Sequence, residues 1–311
     1  MARKKSNKLL GTFQIFFSSI KTYFLYLDQC AKKLAFPIFG QVFSLILIFS
    51  ITFFFITNIN DIKNINSFFS DEKNLLIALL IIILPLILVF LKAFFNYIIA
   101  FASLNILFFT ASKTRKSKNI DFEANNNVIK RKFINYVILL LFTSVSIIFP
   151  PILIFLALTY QVFALEGDIS APKAYARSIE LVKGNVFPTI IMLLLCYFTT
   201  YLFLPELLMW LSEKISLTTF AVTRFEIFAT ILPINEINGL LSMIGTSTNA
   251  TEIAMTTFSG IIWFLVIGFT LPFRCCCFTE LYRMYDSDKI KEFSKSTDEI
   301  IVRATGKKGK N

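Results

Sequence analysis

The 311 residues include no histidine, which excludes imidazole acid/base chemistry, histidine metal ligation and histidine-held haem together. Charge is scarce too, at 16% Asp, Glu, Lys and Arg, well below the share in soluble domains. The five cysteines are an odd number without paired spacing, so no disulfide framework is expected. Three of them, Cys275, Cys276 and Cys277, are consecutive and cannot close round one tetrahedral zinc without strain. What the chain does have is apolar surface: 56% hydrophobic residues, 37 phenylalanines and a mean hydropathy of +0.69. This is the composition of an integral membrane protein. The excess of Phe, Ile, Asn and Lys is also what AT-rich codons give, so the aromatics are not read as a binding box.

Hydrophobic patterning predicts an all-α polytopic membrane bundle of about six spans, preceded by an N-terminal amphipathic interfacial helix. Leu10, Phe13, Phe17, Ile20, Phe24, Leu27, Ala31 and Leu34 recur at steps of three and four on one helical stripe, with Gln14, Ser18, Lys21, Asp28 and Lys32 off it. Residues 1–35 therefore read as a basic amphipathic segment lying among headgroups. A signal peptide is the weaker reading, because no small-residue cleavage site follows the short apolar run.

Residues 36–285 read as a single helical membrane domain. Spans are expected at 36–57, 75–109, 133–165, 186–209 and 253–273. A sixth, 225–245, carries Glu226, Pro233, Asn235, Glu236 and Asn238, all of which would need partners inside lipid. Two runs are too long for a simple crossing. As one helix, 75–109 would extend about 52 Å, so it either tilts and protrudes or contains a re-entrant part. Pro150 and Pro151 interrupt 133–165, making it one kinked span or a hairpin. The tail 286–311 is charged and aperiodic.

Basic residues set the expected orientation. Seven precede Phe36, seven lie within 111–132 and nine from Arg274 onward, which is 23 of the 31. The positive-inside rule makes those regions, and both termini, cytoplasmic in a bacterial inner membrane. The partners this implies are anionic lipid headgroups and other membrane proteins, not nucleic acid.

Two polar features stand out. Ser170 is placed to cap a helix, Pro172 suits its first turn and Gly184 its stop. That helix carries Lys173, Arg177 and Glu180 on one face, and Ala171, Tyr175, Ser178 and Val182 on another. It is read as an interfacial connector in preference to an anion-binding site. The second feature is Lys92, at the midpoint of 75–109, which shares a helical face with Asn96 and Ser103 as an intramembrane polar stripe. In the preferred reading the crossing ends near Lys92 and its amine snorkels to cytoplasmic headgroups. In the other the charge is buried against Glu206, Glu226 or Glu236.

The stretches Phe149-Pro-Pro-Ile-Leu-Ile-Phe155, Val162-Phe-Ala-Leu-Glu-Gly167 and Ala174-Tyr-Ala-Arg-Ser-Ile-Glu-Leu-Val-Lys-Gly-Asn185 form one group. With Leu271-Pro-Phe273 and Thr279-Glu-Leu-Tyr-Arg283 at the close, they resemble the bacterial multi-span family of the glycerophosphoryl diester phosphodiesterase membrane domain and its uncharacterised inner-membrane relatives. The family has Pro-Gly where Pro150-Pro151 stands, and an aromatic residue in place of Ile179. The resemblance implies a compact helical module of six spans with no catalytic residues of its own. In the fused enzymes the chemistry belongs to a separate soluble barrel that needs His and acidic metal ligands. A chain without His does not inherit that activity.

Together these readings point to a non-enzymatic inner-membrane protein that organises or supports membrane lipids, envelope proteins or transport partners. No catalytic residue, cofactor or metal is expected. A transporter or channel for a small solute is the first alternative, favoured by interrupted helices and Lys92. An intramembrane lipid-modifying enzyme using Ser, Lys and Glu is the second, and it lacks a recognisable constellation.

Overall fold

The computed structural model describes residues 2–65, 71–114, 133–145, 149–166, 169–230, 232 and 234–286. The basic stretch 115–132 and the tail beyond Asp286, both read above as cytoplasmic, lie outside the described residues. All regular elements described are helical. The first are α1 (Ala2–Leu25), α2 (Leu27–Thr57), α3 (Ile59–Ile65), α4 (Glu72–Thr114), α5 (Phe133–Val145), α6 (Pro150–Leu156) and α7 (Thr159–Leu165). They are followed by α8 (Ala171–Lys183), α9 (Val186–Tyr197), a π-helical segment Phe198–Phe203, α10 (Leu204–Lys214) and α11 (Leu217–Ala229). Then come α12 (Ile234–Leu241), a 3₁₀ turn Ser242–Ile244, α13 (Ala250–Phe269) and, past Thr270, α14 (271–286).

Among the described residues, four stretches are long and apolar enough to cross a membrane: Leu27–Phe55, Glu72–Asn105, Val186–Lys214 and Ala250–Asp286. The chain is thus a helical protein of multi-pass membrane type. Their breaks and ends follow from local chemistry. Helix α4 is continuous over 43 residues, about 65 Å, so the excess length of this run is not re-entrant; it extends beyond a hydrocarbon core of roughly 30 Å. Pro150 and Pro151 occupy the first turn of α6, where a missing N–H costs no helical bond. The run 133–165 is accordingly divided among α5, α6 and α7. Ahead of α10, Pro205 cannot donate to the carbonyl one turn back, and the preceding turn is widened to the π form. Asn249 and Glu252 form a reciprocal capping box that starts α13, with Glu252 N donating to Asn249 Oδ1 at 2.8 Å and Asn249 N to Glu252 Oε2 at 3.2 Å.

The segment 225–245 is not one helix. Thr230 and Leu232 separate α11 from α12. Leu232 N bonds Ala229 O (3.1 Å) and Ile234 N bonds Leu232 O (2.8 Å) in place of the helical ladder, which Pro233, lacking an N–H, cannot continue.

The described residues divide into two compact units. One comprises Met1–Leu27, Ile99–Cys196 and Leu271–Asn311; the other comprises Asp28–Ile98 and Tyr197–Thr270. The first has a dense core that includes Phe108, Tyr136, Leu139, Leu158, Phe163, Met192 and Leu281, with buried Asn105, Thr159, Gln161 and Ser178 among them. In this unit α1 packs through its small and polar face. Thr12, Phe16 and Ser19 are buried and Phe16 meets Phe273 edge-on at 5.5 Å, whereas Leu10, Phe17 and Phe24 are about two-thirds exposed. The apolar stripe read from the sequence is therefore the outward face of α1 as far as Leu25. It does not continue into α2, because the helix is interrupted at Tyr26 and Cys30 and Leu34 are buried. Small side chains at the packed face let helices approach closely, and lipid accepts an apolar outer face.

The second unit has the opposite character. Only 17% of the most apolar window of α2 and 11% of that of α4 are buried. Packing is tight at two glycines. A Cβ on Gly40 would meet Ala93 Cβ at 2.9 Å, and one on Gly268 would meet Ile38 Cδ1 at 2.8 Å. Most of the remaining helix surface is exposed Leu, Ile and Phe, a surface suited to hydrocarbon.

Candidate functional site

The densest polar cluster lies in the first unit, around Arg177 of α8. This helix is amphipathic: Ala171, Ala174, Ser178, Leu181 and Val182 are buried against α5, α6 and α7, while Lys173 and Glu180 are exposed. Its ends differ in detail from expectation. Ser170 is the N-cap residue with extended backbone, but its side chain makes no capping hydrogen bond, and Pro172 fills the first turn. Gly184 closes the helix in right-handed conformation, φ −87°, so the stop needs no left-handed glycine.

Arg177 is three-quarters buried and spends all three nitrogens on carboxylates. Nε donates to Glu166 Oε1 at 3.2 Å, NH1 to Glu180 Oε2 at 3.3 Å and NH2 to Asp286 Oδ1 at 3.0 Å. Tyr282 donates its hydroxyl to the same Glu166 Oε1 at 2.8 Å. Burial alone would lower the guanidinium's affinity for its proton. The hydrogen bond and charge of Glu166, followed by those of Glu180 and Asp286, reverse this, and the net shift is upward. Arg177 is thus a fixed cation joining the end of α7, the exposed face of α8 and the end of α14. Three of its five N–H donors are thereby committed to carboxylates.

Two hydrogen-bonded sets flank the cluster. Ser178 Oγ donates to Phe155 O at 2.8 Å and accepts from Leu158 N at 3.2 Å, tying α8 to the joint between α6 and α7. With both roles taken, this hydroxyl splices α8 to that joint. Thr189 and Tyr285 share a 2.9 Å hydroxyl contact, and the Tyr285 hydroxyl lies 3.3 Å from Asn185 O, fixing α9 to α14.

The other residues singled out from the sequence are not gathered here. Lys173 is exposed on α8, away from any ion pair among the described residues. Along α4, Lys92 is exposed with its Nζ over the Phe36 ring at 5.8 Å, Asn96 is half-buried and Ser103 is fully buried. No described carboxylate pairs with Lys92: Glu206 is exposed and Glu226 instead accepts from Thr251 Oγ1 at 2.6 Å. Exposed cations resting on aromatic faces recur in the second unit, with Lys214 over Trp210 at 5.7 Å and Arg224 over Phe220 at 5.4 Å. Pro150 and Pro151 contribute a helix start and no polar group.

Sequence reasoning placed Lys173, Arg177 and Glu180 on one face of this helix and Ser178 on another, but missed Asp286 and the role of Tyr285. The signal was available in Tyr282, Tyr285 and Asp286, whose three- and four-residue spacing puts them on one helical face at the end of an apolar run. Among the described residues no group of three or more Cys, Asp and Glu is arranged to hold a metal ion. No protein-family model, curated protein or solved structure matches the chain.

Proposed function

We propose that this chain is a non-enzymatic multi-pass protein of a bacterial inner membrane whose bundle organises or supports membrane lipids, and through them envelope or transport partners. The observation that carries the reading is the contrast between the units. One gathers Glu166, Glu180 and Asp286 around Arg177, whereas the other leaves most of α2 and α4 for hydrocarbon to cover. A substrate pathway of the transporter type needs intramembrane polar groups directed at a cavity. Lys92 instead lies exposed on an aromatic ring, the arrangement of a snorkelling anchor.

In this reading six crossings put both termini in the cytoplasm, with the apolar helices Phe133–Ser144 and Pro151–Leu165 together and the 225–245 region supplying what the four long helices do not. The outward stripe of α1, with basic residues near its start, rests on anionic headgroups. The family resemblance supports the same architecture. Purified protein in vesicles should neither conduct solutes nor turn over lipid, and should alter acyl-chain order around it. Solute flux above protein-free vesicles would transfer the assignment to a transporter, and lipid turnover would transfer it to an enzyme.

A further inference from the structure

Within the second unit, α2, α11 and α13 enclose a half-open cavity of about 300 Å³. Phe49 and Phe53 from α2, Phe225 and Ala229 from α11, and Ile253 and Ala254 from α13 form most of its wall. Among the described residues hydroxyls enter only from Ser50 and Thr257, and the latter is already bonded to Ile253 O at 2.8 Å. A buried water needs two to four polar partners, so the cavity selects an apolar occupant.

We propose that this cavity holds one acyl chain of a bilayer phospholipid. Three observations specify that occupant. First, the cleft has the reach of a chain segment: its α2 wall runs from Leu45 to Phe53, about 12 Å of helix. Second, a polar layer borders the cavity. Ile253 belongs to the first turn of α13, directly after the Asn249–Glu252 capping box, and one turn along α11 from Ala229 the Glu226 carboxylate holds Thr251. An amphiphile with its tail in the cleft brings its headgroup to that layer. Third, the cleft is continuous with the outer surface of α2, where Phe43, Leu47 and Phe54 are exposed, so the supply of chains is the bilayer itself.

The inference rests on the membrane reading above and narrows it to one lipid seat. Its test is photolabelling of the full-length protein in phosphatidylglycerol–phosphatidylethanolamine vesicles, using a phospholipid with a diazirine midway along one acyl chain and mass-spectrometric mapping of adducts. Labelling is expected at residues 45–53 and 253–257 beyond that on the open α4 face at 76–88. Ser50→Phe, which fills the cleft, should cut cleft labelling about fivefold or more and leave the α4 face unchanged. Ala229→Phe should do the same and serves if Ser50→Phe misfolds. Cleft labelling no higher than on α4, or undiminished in a folded cleft-filled variant, overturns the acyl-chain seat alone. Absence of labelling on α4 as well overturns the membrane reading and the seat together.

Discussion

Arg177→Met deletes the one cation that three carboxylates share, and the structure bounds the consequence. Glu166 and Asp286 are 26% and 21% exposed, whereas Glu180 is 60% exposed. Breaking a buried pair costs about 3–5 kcal/mol, and an exposed pair contributes about 0–1 kcal/mol. The two partly buried contacts fall between these limits, so the loss should be about 2–3 kcal/mol after allowance for water reaching the site. At about 2–4 °C per kcal/mol, the melting temperature should fall by about 5–10 °C. Lysine keeps the charge without the planar fork and should restore less than half of the loss. The sharper assay is a pair of double-mutant cycles in one lipid mixture. Arg177→Met with Asp286→Asn should show a coupling of about 1–2 kcal/mol, and Arg177→Met with Glu180→Gln less than about 0.5 kcal/mol. Equal couplings, or an unmoved melting temperature for Arg177→Met, would refute the claim that this cluster closes the first unit.

Ser178→Ala strands the buried Leu158 N–H and should destabilise by about 1–3 kcal/mol. Thr159→Val, by contrast, removes a buried hydroxyl that has no partner among the described residues and should be neutral or slightly stabilising in the same thermal assay. Gly268→Ala would force a Cβ against fully buried Ile38 and should cost about 1–3 kcal/mol, recovered by pairing it with Ile38→Ala; Gly260→Ala, which meets open space, should be tolerated. Lys92→Leu should leave thermal stability unchanged or slightly raised, because the amine has no acidic partner among the described residues; a large loss would expose a buried role for the charge.

Much of this molecule is readable before folding because lipid enforces simple rules. Long apolar runs such as 75–109, in which Lys92 is the one charge, must be helical, and proline pairs such as Pro150-Pro151 coincide with helix starts. The stripe from Leu10 to Leu34 was less transparent. Periodicity shows which residues share a face but not whether that face meets protein or lipid, and in α1 the buried side is marked by Thr12, Phe16 and Ser19. The cluster at Arg177 was half visible, because Glu180 is a helical neighbour while Asp286 lies 109 positions away and is brought in only by packing. The acyl-sized cleft was invisible, since it is a gap between three helices, each with the same apolar composition as a filled one.

The central claim is that Asp28–Ile98 and Tyr197–Thr270 are solvated by lipid along their exposed apolar faces. Spin labels placed singly at Phe43, Phe54, Leu80 and Leu88 in vesicles, with collisions measured against oxygen and a water-soluble nickel chelate, test it directly. The account predicts high oxygen and low nickel accessibility at Phe43, Leu80 and Leu88, with nickel rising toward Phe54 at the end of the span. Uniformly high nickel accessibility at all four would contradict it.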